Sequence, residues 1–565
     1  MITEFARYVN QIFASTGTRP MKIDSTGKEI IVDKATSDKH ARLTRSAGVV
    51  SIAVMGSRVL GLVREMVLAY FFKAERELDA FKAAFRIPNL LRDLFGEGIL
   101  SKALVTTFTD TEVKKGEQAV FRMTSLVFNA LVVIVGAITL LGILLAPVII
   151  DLMFFGKGFD LPGKRDLTVL LTRVMFPFLL LVSLAAVPMG LLYSKDRFFI
   201  PSFASSFFNI GSVTVGVIGY YIAPKFDQPP VLGMAVGVLV GGAMQFLIQI
   251  PSIWRVCYRY RPILSFTDPS VQQVMTLVLP MILGAAAVQI NVFVNSIFSS
   301  YGEGWLSWVN LAFRLMHLPI GVVGVAISTA TLPMLSRHIA EEDMASYLQT
   351  LSHSLRLILL LTIPASVGLM ALKEPIVRLI YQRGEFGSDD TIMVSAALFY
   401  YAFGLCGYSA VKVGADSFYA LKDTRTPAFV SLGTVTLNII LNYLFIFQLG
   451  FDHRGLALST SCTVTLNSIL LFIILRRRIG RLGMGAVPLV FCKIMLASGA
   501  MWGVCWWISR QSEKLFGTAN TLARLMQVGG AIAGGIVVLY LACRVLRLKE
   551  MDDLIRAMRG RFLRR

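Results

Sequence analysis

Stretch after stretch of this chain is apolar for long enough to cross a bilayer, and that decides its fold class. About 20 apolar residues in a helix span the hydrocarbon core, and a helix satisfies its own backbone polar groups, which lipid demands. Fourteen spans are predicted, at 46–72, 79–112, 121–155, 165–193, 198–222, 230–257, 270–300, 304–335, 345–371, 388–420, 425–447, 455–478, 486–510 and 521–547. Over the whole chain 55% of residues are hydrophobic and only 16% charged. The prediction is an all-α integral membrane protein.

The formal net charge of +20 would fit a nucleic-acid binder, but its distribution excludes that class. Basic residues sit in alternate connections: Lys114 and Lys115; Lys195 and Arg197; Arg255, Arg259 and Arg261; Lys422 and Arg425; Arg476, Arg477, Arg478 and Arg481. More crowd the tail from Arg544 to Arg565, whereas intervening connections such as 223–229 and 301–303 are short or of mixed charge. That is the positive-inside pattern with both termini cytoplasmic, and it carries a secondary affinity for anionic lipid. Residues 1–45 are polar and lack an apolar signal-peptide core, so they are expected to form a cytoplasmic extension. None of the six cysteines shows CxxC spacing; packing roles are expected, with no metal site and no cofactor.

One span breaks the apolar rule. Asp79, Lys82, Arg86, Asn89, Asp93 and Glu97 fall at steps of three and four residues, which gathers them within roughly 80° of a helix. Charges at bilayer depth cost several kcal/mol unless paired or hydrated, so the stripe is expected to line a wet cavity. Arg92 lies beside it, and Pro88 is expected to kink the helix. In the first span Arg58, Arg64 and Glu65 interrupt an apolar run, with Arg58 and Glu65 on one face. Snorkelling or a structural ion pair is one reading; a role at a cavity or lobe interface is the other, and it suits Arg58 near mid-span. Arg314 lies in AFRLMHLP with His317 three residues on, for which structural and functional readings both stand. Lys412 and Asp416, four apart, read as an internal ion pair. Gln289, Asn291, Asn295, Asn438 and Asn442 read first as hydrogen bonds between helices.

The chain also carries an internal duplication. Tyr193, Lys195, Asp196, Pro201 and Asn209 have counterparts in Tyr419, Lys422, Asp423, Pro427 and Asn438, and Ala84-Phe85-Arg86 recurs as Ala312-Phe313-Arg314. The offset matches six spans with their loops. An even number keeps both copies in one orientation, and parallel repeats of this kind bind substrate at their interface. Two parallel six-helix lobes around a central cavity are expected, at 46–257 and 270–478, followed by two C-terminal helices at 486–547 and a basic tail at 548–565.

Arginine in excess over embedded acids points to an anionic substrate, because guanidinium grips phosphate in a bidentate way. Phosphate or pyrophosphate is the predicted headgroup. A cation exporter would instead need exposed carboxylates, and Glu65, Asp79, Asp93 and Glu97 keep that reading open. No Walker A loop, HExxH or GxSxG elbow is present, so the chain reads as a transporter, not an enzyme, driven by an ion gradient, the membrane potential or its substrate's gradient.

With these residues in view, the chain resembles the MurJ (MviN) lipid II flippases of the multidrug/oligosaccharidyl-lipid/polysaccharide exporter superfamily. The matching segments are SRVLGLVRE (57–65), DAFKAAFRIPNLLRDLFGEG (79–98), DRFFIPSFASSFFNI (196–210), SWVNLAFRLMHLPIGVVGVAISTATLPMLS (307–336) and YALKDTRTPAF (419–429). The resemblance implies a fourteen-helix fold with two lobes around a cationic cavity. It implies outward flipping of lipid II, the undecaprenyl-pyrophosphate-linked peptidoglycan precursor, across the bacterial inner membrane by alternating access, for cell-wall synthesis. Family positions important for function match Arg58, Arg64, Asp79, Asn89, Arg92, Ser307 and Arg314. Among them Arg64, Arg92 and Arg314 are similar to the arginines proposed to hold the pyrophosphate, and the last two helices resemble those forming a groove for the lipid tail. Two departures stand out: some relatives have glutamate where this chain has His317, and members with a sodium site use acids where it offers Gln289, Asn438 and Asn442, which argues against sodium coupling. Competing readings are a cation-coupled multidrug exporter, a flippase for another polyprenyl-linked saccharide, and a membrane scaffold acting through its basic tail.

Overall fold

The structure is a computed structural model that describes residues 53–552, apart from 54, 96–98, 481–484 and 519. The expected extension at 1–45 and most of the basic tail therefore lie outside the described residues. The described chain is helical, and ten of its helices or continuous helix pairs are long and apolar enough to cross a membrane. The expected count of fourteen is not reached by that measure. The other four predicted spans are present as helix at 55–71, at Asp79–Phe95 with Ile99–Lys115, at Pro269–Ser299, and at Trp305–Pro319 continuing into Val325–Ala340. Asp79–Phe95 is amphipathic and carries Asp79, Lys82, Arg86, Arg92 and Asp93 in seventeen residues, too many charges for an ordinary lipid-facing helix. It runs unbroken through Pro88, so the helical register of Asn89 and Arg92 is kept beyond it.

The described residues condense into two compact units, one up to Ser307 and one from Trp308. In the first, Pro177–Ser194 is the hub, buried along most of its length and packed against Asp79–Phe95, Ile99–Lys115, Glu117–Leu144 and Val231–Leu247. In the second, Ser388–Ala420 takes the same part against Val325–Ala340, Met344–Ala371, Lys373–Tyr381 and Asp452–Ile479. These two hubs end in Tyr193-Ser194 and Tyr419-Ala420, the segments that the duplication pairs.

The turns after the hubs match in backbone detail. Asp196 and Lys422 both adopt a left-handed conformation, with φ of 56° and 60°. In the first turn Asp196 N donates to Tyr193 O at 3.1 Å and Arg197 N to Leu192 O at 2.8 Å. In the second, Lys422 N donates to Tyr419 O and Asp423 N to Phe418 O, both at 2.9 Å. This is the hydrogen-bond signature of a Schellman-type helix end. It aligns Asp196 with Lys422, one residue away from the register that residue identity alone suggests.

Each turn is clamped by charge, with the sign reversed. Lys195 Nζ donates to Glu112 at 2.7 Å and Glu117 at 2.6 Å. Asp423 accepts instead from the amides of Arg425 and Thr426, both at 3.0 Å, from Thr426 Oγ1 at 2.7 Å, and from Arg478. The Thr426 donors, aided by the Arg478 guanidinium, hold the Asp423 carboxyl down at about 2.

One close backbone-to-backbone helix contact in the first unit is made by glycine. Gly233, Gly237 and Gly241 recur every four residues, and a Cβ on Gly237 would lie 2.5 Å from Ser212 O and one on Gly233 would lie 2.2 Å from the Gly219 carbonyl carbon. Small residues at this spacing let membrane helices approach backbone to backbone.

Gly237→Leu is expected to separate Phe199–Ile222 from Val231–Leu247 and to destabilise the protein by about 1–3 kcal/mol or more, read as a lowered thermal transition in detergent. Because the Asp423 pKa is depressed in the fold, its stabilisation is fully present above the ordinary carboxylate value near 4 and is lost as pH falls toward about 2. Asp423→Asn should therefore narrow the stability difference from wild type only in that acid window, in a thermal-melt series against pH.

Candidate functional site

Embedded charge in the first unit is organised around two carboxylates. Asp79 is completely buried, and four donors meet on it: Lys164 Nζ at 3.1 Å, Gly304 N at 2.9 Å, Ser307 N at 2.9 Å and Ser307 Oγ at 2.7 Å. The two amides belong to the start of the Trp305–Pro319 helix, where unpaired N–H groups and the helix dipole favour an anion. Asp79 thus holds that helix end as a capping carboxylate would. It is separated from Ser307 by 228 residues, the same spacing that relates Ala84-Phe85-Arg86 to Ala312-Phe313-Arg314.

Lys164 completes the arrangement and was invisible in the sequence pattern, since it stands in a short connection and not in an apolar span. It is wholly buried, donates to Gly158 O at 2.7 Å and lies 4.4 Å from the centre of the Phe159 ring. Its loop packs so closely on the 300–304 turn that a Cβ on Gly158 would fall 2.4 Å from the Gly302 carbonyl carbon. One cue could have flagged the pair: a fully buried carboxylate needs a buried cation, and Lys164 opens the Lys164–Met175 helix that packs on Asp79–Phe95.

The second carboxylate is Glu65, which binds Arg64 at 3.2 Å and is also paired with Lys82. Arg64 and Lys82 thus share one carboxylate. The Arg64 side chain is 13% exposed and its guanidinium lies 5.2 Å from the Phe208 ring centre and 5.9 Å from that of Phe85. With Phe81, Ser212 and Met234 it lines a small cavity. Rings below a guanidinium hold it by cation–π attraction without neutralising it.

The stripe is therefore not uniformly wet. Exposure rises along it, from the dry Asp79 through half-buried Lys82, Arg86 and Asn89 to Asp93, whose side chain is 41% exposed. The expectation that all six residues line a wet surface fails at Asp79 for a tertiary reason, the convergence of Lys164 and a helix N-terminus. Glu97 lies outside the described residues. Arg92, 31% exposed, pairs with the neighbouring Asp93 at 2.9 Å. Arg58 is exposed while Glu65, on the same face two turns on, is buried.

In the second unit Arg314 is half-buried on Trp305–Pro319, and among the described residues it forms no ion pair. His317 is packed between Phe313 and Tyr408, ring centres 4.0 and 5.7 Å away, with Nδ1 at 3.2 Å from Phe313 O. Asp416 accepts from Ser328 Oγ at 2.5 Å and feels the charge of Lys412, without the direct ion pair to it that the spacing led us to expect. Of the amides expected to bridge helices, Asn438 and Asn442 do so, whereas Asn295 donates to Asn291 of its own helix at 3.1 Å. Asn438 reaches Ser459 and Thr463, each at 3.4 Å, Asn442 donates to Asn438 at 3.1 Å, and Asn467 reaches Ser431 and Thr434 at 3.3 and 3.2 Å. Bonds of this kind in membrane helices contribute roughly 0.6 kcal/mol each.

Lys164→Met should leave the Asp79 carboxylate uncompensated and destabilise the fold by about 3–5 kcal/mol. The double change Lys164→Met with Asp79→Asn should recover part of that loss, in thermal melts of the purified protein.

The comparisons with known proteins agree in direction. Residues 68–527 match the family model described as lipid II flippase MurJ. The chain is 33% identical over 515 residues to a probable lipid II flippase MurJ of Vibrio cholerae, covering 86% of this chain and 96% of that one. It is 33% identical over 442 residues to the lipid II flippase MurJ of Burkholderia cenocepacia, covering 77% and 84%. Among solved structures, a lipid II flippase MurJ in an inward closed conformation superposes with a TM-score of 0.71 at 28% identity, over 88% of this chain and 99% of that one. An inward-facing multidrug transporter of the MATE family shares the fold alone, with a TM-score of 0.62 at 14% identity over 76% and 96%. A family match across most of the chain, with its embedded arginines and paired helical hubs, means that this multi-pass membrane protein belongs to the lipid II flippase MurJ family.

Proposed function

We propose that this protein moves lipid II from the cytoplasmic to the outer leaflet of the bacterial inner membrane by alternating access, without covalent chemistry. Membership of a family whose model names that cargo carries the reading. The physical logic fits. A polyprenyl tail can remain in lipid, whereas a saccharide-pyrophosphate head needs a hydrated, cationic path across the same distance.

In this reading Arg64, Arg92 and Arg314 take the pyrophosphate. Arg314 brings a half-buried guanidinium that no carboxylate neutralises among the described residues, and Arg64, which shares Glu65 with Lys82, is held against the Phe85 and Phe208 rings. Arg92 exchanges its exposed Asp93 partner for phosphate oxygens at little cost, since exposed pairs contribute only about 0–1 kcal/mol. Arg58 and Asn89 contribute to the same path. Asp79 and Ser307 act through helix position, by capping Trp305–Pro319 on whose next turns Arg314 sits. The tail follows a groove along Ala486–Phe516 and Thr521–Val545, whose outward residues include Leu496 and Val537. Both termini are cytoplasmic in this reading, which the basic loops support. Grip on the headgroup has to differ between the inward and outward states, because equal affinity in both shifts no equilibrium. The membrane potential or a monovalent-ion gradient supplies the bias.

Arg64→Ala, Arg92→Ala and Arg314→Ala should each reduce flipping by about tenfold or more, the weight of a lost hydrogen bond to a charged group, with membrane insertion unchanged. Lysine at the same positions should rescue poorly if bidentate geometry matters. The measurement is a leaflet-accessibility assay for lipid II in cells depleted of the native protein and supplied with each variant. Wild-type accessibility in all three alanine variants would refute the headgroup role.

A further inference from the structure

The duplication equates two helices residue by residue. Glu117–Leu144 and Met344–Ala371 both have 28 residues, and both ends of the second lie 227 positions after those of the first. The short helices that follow them, Ala146–Met153 and Lys373–Tyr381, start 227 positions apart as well. In the second unit the chain itself covers one face of this pair. Leu359, Leu360, Ile363 and Val367 are at most 9% exposed and share one apolar core with Val490, Ile494, Ala497 and Met501 of Ala486–Phe516. Arg378 on the short helix pairs with Glu513 at 3.0 Å and so latches the far end of the covering helix. At the near end Arg356 donates to Glu550 at 2.7 Å, in the segment that follows Thr521–Val545.

In the first unit the same face is covered at its near end only. Asn129, the counterpart of Arg356, donates to Arg261 O at 3.2 Å and to Ile263 O at 2.8 Å. Beyond it Val132, Val133, Leu140 and Leu144, the counterparts of Leu359, Leu360, Val367 and Ala371, are 38–65% exposed. A Cβ on Gly136, in the place of Ile363, would meet no described atom within 4 Å. The charge at the latch is reversed. Asp151 stands where the second unit has Arg378; it is exposed and shares Arg165 with Asp166. Exposed apolar side chains alone would suit lipid, whose tails are as apolar as leucine. Three further features suit protein: the counterpart face is packed by a helix, a glycine at mid-face allows close backbone approach, and a carboxylate occupies the latch position.

We propose that the face from Val132 to Leu144 docks a membrane-spanning helix of another protein, apolar along this stretch and carrying a lysine or arginine that meets Asp151. The docked helix takes the place that Ala486–Phe516 fills in the second unit, and it continues the cover that residues 260–263 begin at Asn129. Charge complementarity selects it, with the sign opposite to that of the Arg378–Glu513 latch. A second copy of this chain does not meet that requirement. A twofold axis on the face would set each Asp151 against its own image, and like charges so placed repel.

The test places the photoreactive residue p-benzoylphenylalanine at Val133 or Leu140 of the full-length protein, irradiates intact cells of the native host and sequences the crosslinked peptides by mass spectrometry. Both positions should capture the same membrane-spanning segment of another protein, with a lysine or arginine at the end that reaches Asp151. The same probe at Ile218, which is exposed on Phe199–Ile222, should not capture it. Asp151→Lys should cut the yield about fivefold or more, the equivalent of about 1 kcal/mol for an exposed ion pair, and reversing the partner's basic residue to aspartate should restore it. Gly136→Trp should abolish capture from Leu140. Both variants should keep the wild-type thermal transition, since each changes an exposed site. Capture of peptides from this same chain, of lipid alone, or of the same proteins at Ile218 would overturn the proposal, as would undiminished capture in either variant. Should Asp151→Lys lower the thermal transition, Gly136→Trp decides. No readout here depends on which cargo is flipped.

Discussion

The buried pairing of Asp79 with Lys164 is the constraint around which the first unit is organised. A carboxylate taken out of water is tolerated only when its lone pairs are met by good donors, and here an ammonium, two backbone amides and a hydroxyl all arrive. To deliver them, the Lys157–Phe159 turn must lie against the 300–304 turn, which explains the glycines at 156, 158 and 302 where side chains would collide with Ser300, Gly302 or Trp305. Dipole, charge and close packing thus converge on one point at the start of the helix that carries Arg314.

From that point the charge along Asp79–Phe95 is graded. Its dry end is neutralised by Lys164, its middle shares Glu65 with Arg64, and its far end is exposed with Arg92 on Asp93. Charge that is fully compensated does structural work, and charge that is incompletely compensated remains available to a ligand. The distinction separates Asp79 and Ser307, which hold a helix, from Arg314, which forms no ion pair among the described residues. Cation–π contacts to Phe85 and Phe208 fix the Arg64 guanidinium without cancelling its charge.

The duplication has a mechanical counterpart. Pro177–Ser194 and Ser388–Ala420 are equivalent hubs, and each ends in the same left-handed turn. The clamps on those turns reverse sign, Lys195 on Glu112 and Glu117 in one and Asp423 under Arg478 in the other. Backbone geometry has outlasted the charges that secure it, as expected when a helix end is set by local hydrogen bonds and its tertiary tether is exchangeable. The amides tell the same story. Asn209 donates to Ser57 O at 3.2 Å and Asn438 bridges to Ser459 and Thr463, both tying their helix to a neighbour.

Helical membrane architecture was legible in the sequence because lipid permits few alternatives: long apolar runs must be helices, and loops must emerge at their ends. The polar stripe, the arginines inside apolar runs and the bridging amides Asn438 and Asn442 were legible for the same reason, since a polar residue in such a run is conspicuous. Local signals sufficed wherever the partner lay a few residues away. What only the tertiary structure decided were the partners of these groups. Lys164 and Gly304 lie 85 and 225 residues from Asp79, and no periodicity encodes that meeting. The sequence fixes how much charge a membrane chain must hide, but which charges become dry struts and which stay open to a ligand depends on distances that exist only once the helices have packed.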